Sequence, residues 1–210
     1  MFLSCNIAFS SLPVFLPTIL TSMGYTPLTS QALSAPPYIF ATLLLLTTAY
    51  LSDRSRSRSP FVLAHAALGS ASYGLIALGG HLRWPALVRY ALVYPAAASF
   101  FSAIAIIIAW TMNNQEGKTK KGVGMTVLNV VGQMGPIIGA RLYPDTDKPY
   151  FIRGMVTCAV AMAVVGLLAG VLRWVLIREN AKRAAEARGD EGGLLARGAG
   201  EETTRFVLML

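Results

Sequence analysis

Charge is scarce in this sequence. Only 13% of its 210 residues are Asp, Glu, Lys or Arg, and 54% are hydrophobic. A soluble domain carries about 25% charged residues. A deficit of that size excludes a chain that covers itself with water-facing surface, and the mean hydropathy of +0.54 agrees. Carboxylates are scarcest within the apolar runs. The first, Asp53, follows 52 residues without any charge, and no carboxylate lies deep in an apolar block, so an intramembrane acidic relay has no candidate. There are 2 histidines. His65 and His81 have no carboxylate or cysteine at a useful spacing, which leaves no nucleophile–base or acid–base pair. His65 reads as a packed polar residue. The sequence therefore reads as a protein that is not an enzyme and needs neither cofactor nor metal. The 2 cysteines, Cys5 and Cys158, fall inside apolar blocks. They form no disulfide framework and no metal spacing and read as small buried hydrophobes. No basic region precedes Met1-Phe2-Leu3, so residues 1–20 read as a retained span and not a cleaved signal.

What is present is a series of long charge-free blocks, over residues 1–52, 59–82, 90–115, 122–140 and 154–172. A helix needs about 20 apolar residues to cross about 30 Å of hydrocarbon. The first block has room for two spans and each of the others for one. The expectation is an all-α membrane protein with a six-helix transmembrane domain over residues 1–177, its spans at about 2–21, 31–52, 60–80, 85–111, 122–142 and 151–177. The first block divides at its most polar part, Gly24 to Gln31, which has turn formers at both ends. Pro13 and Pro17 each remove an intrahelical hydrogen bond, so span 1 should pack against protein or line a cavity. Pro36-Pro37 stands near the start of span 2, where proline is better tolerated. Trp84, Trp110 and Trp174 fall near span ends, where indole favours the membrane interface. Residues 178–210 read as a tail, helical through Arg188 and disordered from Gly189 to Thr204.

The net charge is +8, and the basic residues lie in short turns. Arg54, Arg56 and Arg58 follow span 2. Lys118, Lys120 and Lys121 follow span 4. Arg178, Lys182, Arg183 and Arg188 begin the tail. Arg83, Arg89, Arg141, Lys148 and Arg153 stand on the other side. This excess places the Asp53 turn, the Lys118 turn and both termini in the cytoplasm. The pattern indicates topology and contact with the lipid bilayer. A nucleic-acid footprint would form a face or stripe, so no nucleic-acid partner is expected.

Span 5 carries the most information. Asn129, Gln133 and Pro136 share one face, and Gly132, Gly135 and Gly139 form an adjacent stripe. Close packing on the glycines, with the amides bonding neighbouring helices, is one reading. A polar face lining a substrate path, with the helix flexed at Pro136, is the other, and both can hold. Gly166 and Gly170 in span 6 read as helix packing. Tyr90 and Tyr94 sit one turn apart, beside Arg89. That arginine either snorkels to the interface or faces a cavity, where its guanidinium would suit an anion. Tyr38, just after the proline pair, could face the same cavity. The Asp53 turn reads either as a topogenic loop or as a gate latch.

That turn, Ala49 to Arg58, resembles the cytoplasmic-loop motif of the major facilitator superfamily, roughly G-x-x-x-D-R-x-G-R-R. Asp53, Arg54 and Arg58 match it, while Ala49, Arg56 and Ser57 depart. Other segments look like the C-terminal half of the fungal anion:cation symporters, the relatives of allantoate and nicotinic acid permeases. They are Phe15-Leu16-Pro17-Thr18-Ile19, Leu33 to Tyr38, Trp110 to Asn114 followed by Gly117 to Lys121, Asn129-Val130-Val131-Gly132 with Gly135-Pro136, and Arg205-Phe206-Val207-Leu208. The resemblance implies one half of a major facilitator fold, the spans matching helices seven to twelve of a twelve-helix parent. It implies secondary active, proton-coupled transport of small organic anions such as carboxylate vitamins or ureides, at the plasma membrane. Tyr38, Arg89, Tyr90, Tyr94, Asn129 and Gln133 are then the candidate path, and Asp53, Arg54 and Arg58 the gating loop. The expected partner is a missing N-terminal six-helix half or a second copy, and the sequence is expected to be a fragment, a truncated product or an incompletely read gene. A non-transporting membrane scaffold that pairs through its glycine faces is the alternative.

Overall fold

A computed structural model describes residues 1–115, 117–195 and 208–209, with the backbone alone over 187–195. In chain order the helices are α1 (Phe2–Ser22), α2 (Pro27–Ser55), α3 (Ser59–His81), α4 (Ala86–Asn113), α5 (Lys118–Gly132), α6 (Met134–Gly139) and α7 (Ile152–Leu195), with a short 3-10 turn at Asp145–Asp147 before the last. Among the described residues, 6 helical spans are long and apolar enough to cross a membrane, α5 and α6 together making the fifth. This is the all-α membrane architecture that the charge-free blocks imply.

Local chemistry sets the helix ends. Thr26 caps α2, its hydroxyl accepting from the Thr29 N–H at 3.3 Å, and Pro27 occupies the first turn, where its missing N–H is no loss. That cap starts the helix before Gln31. At the other end Arg56 adopts a left-handed conformation with φ 49. It stands where the resembling motif has glycine, the residue that takes this conformation without a steric penalty.

The fifth span is interrupted at Gln133, three residues before the expected flex at Pro136. The offset has a direct cause. A proline denies a hydrogen bond to the carbonyl four residues earlier and its ring crowds that carbonyl, so Pro136 places its defect at Gly132. The vacated Gly132 carbonyl accepts instead from Asn6 Nδ2 of α1 at 3.3 Å. Asn6 is 4% exposed, so water does not compete.

α1 and α4 are the most buried spans, and α2 and the α5–α6 span the least. Both α2 and α5 pack on α1 and α4, α3 packs on α4 and α7, and α6 packs on α1. Tyr73, Phe100, Trp110, Leu12, Leu16, Met155 and Met162 fill the interior. Exposed apolar side chains run along α2, α5–α6 and α7, among them Leu43, Leu46, Val127, Val130, Ile137, Val160 and Leu167. An apolar surface of that extent suits lipid or another protein, not water.

α7 corrects one expectation. Its backbone is helical to Leu195, so the helix contains Gly189, where the sequence suggested that disorder begins. Residues 196–207, which include the rest of that stretch, lie outside the described residues. Trp110 is a second correction. It does not sit at a lipid interface but is buried at 1% exposure.

Candidate functional site

The tyrosines gather where α2 meets α4. Tyr90 and Tyr94 meet edge to face with centroids 5.4 Å apart, and their hydroxyls are 3.0 Å apart. Phe40 stacks edge-on to Tyr94 at 5.9 Å, and Tyr38 edge-on to Phe101 at 6.0 Å. The Tyr90 hydroxyl also donates to the Leu33 carbonyl at 2.9 Å. Leu33 lies four residues before Pro37, so this is the carbonyl that Pro37 leaves without a donor. Tyr90 therefore completes α2 as Asn6 completes the fifth span. Its proton goes to Leu33, so the 3.0 Å contact is made by the Tyr94 hydroxyl donating to Tyr90. The Tyr38 hydroxyl is buried without a partner among the described residues.

Arg89 does not join this group. It is 7% exposed, and its guanidinium lies over the Tyr150 ring, 4.9 Å from the centroid. Its Nε is buried without a hydrogen-bond partner among the described residues. This places it against the turn before α7 and apart from the Tyr90–Tyr94 pair.

Asn129 on α5 and Gln133 at the break between α5 and α6 are exposed. Asn129 Nδ2 donates to the Met125 carbonyl of its own helix at 3.0 Å. Among the described residues, no hydrogen bond joins either amide to the tyrosines. The glycine stripe beside them faces inward onto α1. A methyl group at Gly132 would strike the Phe2 ring. One at Gly135 would come within 2.8 Å of both the Leu3 carbonyl and Asn6 Cβ, and one at Gly139 would meet Ser10 and, at 3.0 Å, the Ile7 carbonyl. These glycines let α5–α6 lie against α1 within the chain, so they are not a free face for pairing. Gly166 approaches Ala66 of α3, 3.3 Å from an added methyl, whereas Gly170 has an ordinary 4.0 Å clearance from Leu63. A tight glycine of α3 is Gly69, where a methyl would come within 2.8 Å of Met162 and 2.9 Å of Ser99. The sequence did not single it out, because no small-residue spacing marks it.

The Asp53 turn folds on itself. Asp53 pairs with Arg58, and Arg58 Nη1 donates to Ser52 Oγ at 3.1 Å. Arg58 is 8% exposed while the Asp53 side chain is 65% exposed. With its amide oxygen turned toward Arg58, Asn113 of α4 accepts from Nη2 at 3.2 Å and Nε at 3.3 Å. Arg54 points outward and donates to Tyr50 OH at 3.3 Å. Beside them, Arg173 Nη1 of α7 donates to Ser59 Oγ at 2.7 Å. Arg173 therefore also reaches the Asp53 end of the bundle, adding to the basic residues there.

Sequence reasoning missed Asn6, although it is the sole asparagine of the first block and a carboxamide within an apolar span seeks a partner on another helix. It also missed a cleft of about 480 Å³ between α1, α4 and α5, lined by Phe2, Leu3, Ile107, Thr111, Gln115, Val127, Leu128 and Val131. His65 is a packed residue whose Nε2 lies 3.1 Å from Thr48 Oγ1. Outside the spans, burial, with the nearby Cys158 adding to it, pushes the Tyr143 phenol well above its ordinary pKa. It stays a neutral hydroxyl, 3.6 Å from Cys158 Sγ.

Several known proteins are similar to this chain. The chain is similar to the MFS-type transporter cnsO of Penicillium expansum, 29% identical over 82% of this chain and 34% of that protein. It is 30% identical to the high-affinity nicotinic acid transporter of Saccharomyces cerevisiae over 83% of this chain and 32% of the relative. It is 28% identical to the MFS transporter prlL of a fungal species over 88% of this chain and 37% of the relative. The chain thus spans about a third of the length of these curated relatives. No family model matches it, and no solved structure does. The relatives are named as transporters, in keeping with a chain that is not an enzyme.

Proposed function

We infer, from relatives that are major facilitator superfamily transporters, that this chain forms the C-terminal six-helix half of such a carrier. Its substrate is a small organic anion, in the class of carboxylate vitamins and ureides, moved together with protons. The observation that carries this reading is the exposure of Asn129 and Gln133 on a helix built to cross a membrane. Polar side chains facing hydrocarbon are costly, so such a face is kept against protein or a water-filled path. α5 and α2 are the least buried spans, which suits helices that meet a second six-helix half. Carriers of this class bind substrate near the midplane between two halves that rock about it.

On this reading the path includes Tyr38, Tyr94, Asn129 and Gln133, with Tyr90 setting the shape of α2 and the place of Tyr94. The Asp53–Arg58 pair with Arg54 is a latch at the cytoplasmic end, and both termini lie on that side of the plasma membrane. The anion class and the proton coupling draw on the resemblance to anion:cation symporters and on the relative named for nicotinic acid. The glycine-mediated scaffold draws no support here, since Gly132, Gly135 and Gly139 are spent on α1.

The test is uptake of radiolabelled nicotinate and allantoate into vesicles. The chain alone should show no uptake above empty vesicles, while the chain joined to an N-terminal six-helix half should show it. In the joined protein, Asn129→Leu with Gln133→Leu should abolish uptake without reducing the amount of folded protein. Full uptake by that double variant would remove α5 from the path.

A further inference from the structure

Leu208 and Met209 lie at the Asp53 end of the bundle, held by side chains of α4 and α7. Asn114 Oδ1 accepts from the Met209 N–H at 2.7 Å, and Asn114 Nδ2 donates to the Met209 carbonyl at 3.1 Å. Trp110 Nε1 donates to the same carbonyl at 2.8 Å. Asn180 treats Leu208 likewise, its Oδ1 accepting from the N–H at 3.1 Å and its Nδ2 donating to the carbonyl at 2.8 Å. A carboxamide presents a donor and an acceptor side by side, so each asparagine satisfies both backbone groups of one residue, as a neighbouring strand would. All four backbone polar groups of the two residues are met by side chains. The buried Trp110 N–H in turn finds its acceptor in the segment.

We propose that Trp110, Asn114 and Asn180 form a cradle for an extended peptide, and that its occupant is the chain's own Leu208–Met209, which ties the end of α4 to α7 as a clasp. Trp110 and Asn114 thereby acquire one physical purpose with Leu208 and Met209, from a distant part of the sequence. The reach is easy within one chain. α7 rises about 22 Å from Asn180 to Leu195 at ~1.5 Å per residue, and the intervening chain back to Leu208 can extend about 43 Å at ~3.3 Å per residue. Recognition runs chiefly through main-chain groups, the mode by which a strand is added to an edge; Met209 adds a weaker contact, its Sδ lying 3.1 Å from the Asn113 amide. The clasp also adjoins the latch: Asn113, next to Asn114, faces Arg58, so docking fixes the same end of α4 that meets the Asp53 turn. This inference does not depend on the transported substrate.

Hydrogen exchange of the full chain in lipid nanodiscs, read by mass spectrometry, tests it. The Leu208 and Met209 amides should exchange at least tenfold more slowly than in a synthetic peptide of residues 204–210. Asn114→Ala with Asn180→Ala should bring them to the peptide rate while the core of α3 and α7 stays protected. If that variant loses its core, Trp110→Phe, which removes one donor and keeps the ring bulk, should give a partial loss of protection. Met209→Ala should change protection less than threefold. Exchange of the native segment at the peptide rate overturns the clasp. Complete loss on Met209→Ala overturns backbone recognition. Loss of protection at one chain per nanodisc overturns an occupant from the same chain in favour of a second copy.

Discussion

Replacing Asn6 by alanine removes the N–H that reaches the Gly132 carbonyl across two helices. The size of the effect follows from the site. Hydrogen bonds between membrane helices average about 0.6 kcal/mol and reach about 1.7, and leaving a buried carbonyl without a donor costs about 1–3 kcal/mol. The bond is long at 3.3 Å, which favours the lower part of these ranges. Asn6 is 4% exposed, which argues against water replacing it. The expectation is therefore a loss of about 1–2 kcal/mol, roughly a 5- to 30-fold change in the folding equilibrium. The cause can be separated from general damage by a second change, Pro136→Ala. Alanine restores an N–H at position 136 that can satisfy Gly132 within its own helix, and it lifts the crowding by the ring. In that background Asn6→Ala should cost less than about 0.5 kcal/mol, a coupling of about 1 kcal/mol, as expected for groups that share a partner. Equilibrium unfolding in bicelles, followed by tryptophan fluorescence and steric trapping, measures all four corners of the cycle. Equal costs for Asn6→Ala in both backgrounds would refute the claim that the side chain replaces the bond denied by proline.

Three further outcomes follow from the same packing. Gly135→Ala should destabilise by about 1 kcal/mol in the same unfolding assay, because the new methyl meets the Leu3 carbonyl and Asn6 Cβ at 2.8 Å. Overpacking of about 1–3 kcal/mol there exceeds the helix-propensity gain of about 0.8–1. Gly122→Ala, with nothing within 4 Å, should keep the propensity gain. Tyr90→Phe strands the Leu33 carbonyl and should lower stability by about 1 kcal/mol, with Pro37→Ala relieving most of the loss. Arg56→Gly should raise stability by about 1 kcal/mol, since φ 49 costs a side-chain-bearing residue roughly 1–2 kcal/mol; a thermal unfolding midpoint that falls would contradict this.

The six spans are legible in the sequence because burying charge in hydrocarbon is so costly that uncharged blocks mark the membrane directly. The details that shape the site are less legible, for a common reason: they depend on which helix stands beside which. Pro136 is obvious in the sequence, but its defect lies at Gly132 and its remedy is Asn6 of another helix. Tyr90 looks like a lining residue by its spacing, yet its hydroxyl is committed to Leu33. Arg89 neighbours the tyrosines in sequence, but successive residues on a helix point to different sides, and it rests on Tyr150. Trp110 stands near a span end, as interfacial tryptophans do, but Met209 covers it. The glycine stripe was legible as packing, and only the geometry identified α1 as its partner.

The paired repairs of α2 and of the fifth span have a consequence for how this sequence can change over generations. Asn6 and Gly132 lie 126 positions apart, yet Asn6 and Pro136 should behave as one heritable unit. Loss of the asparagine is harmful while the proline stays, and once the proline has gone the asparagine is no longer required. Drift at these sites should therefore take an ordered route, the proline yielding first. The same order should apply to Pro37 and Tyr90. A lineage that lost Tyr90 would be expected to have lost Pro37 earlier.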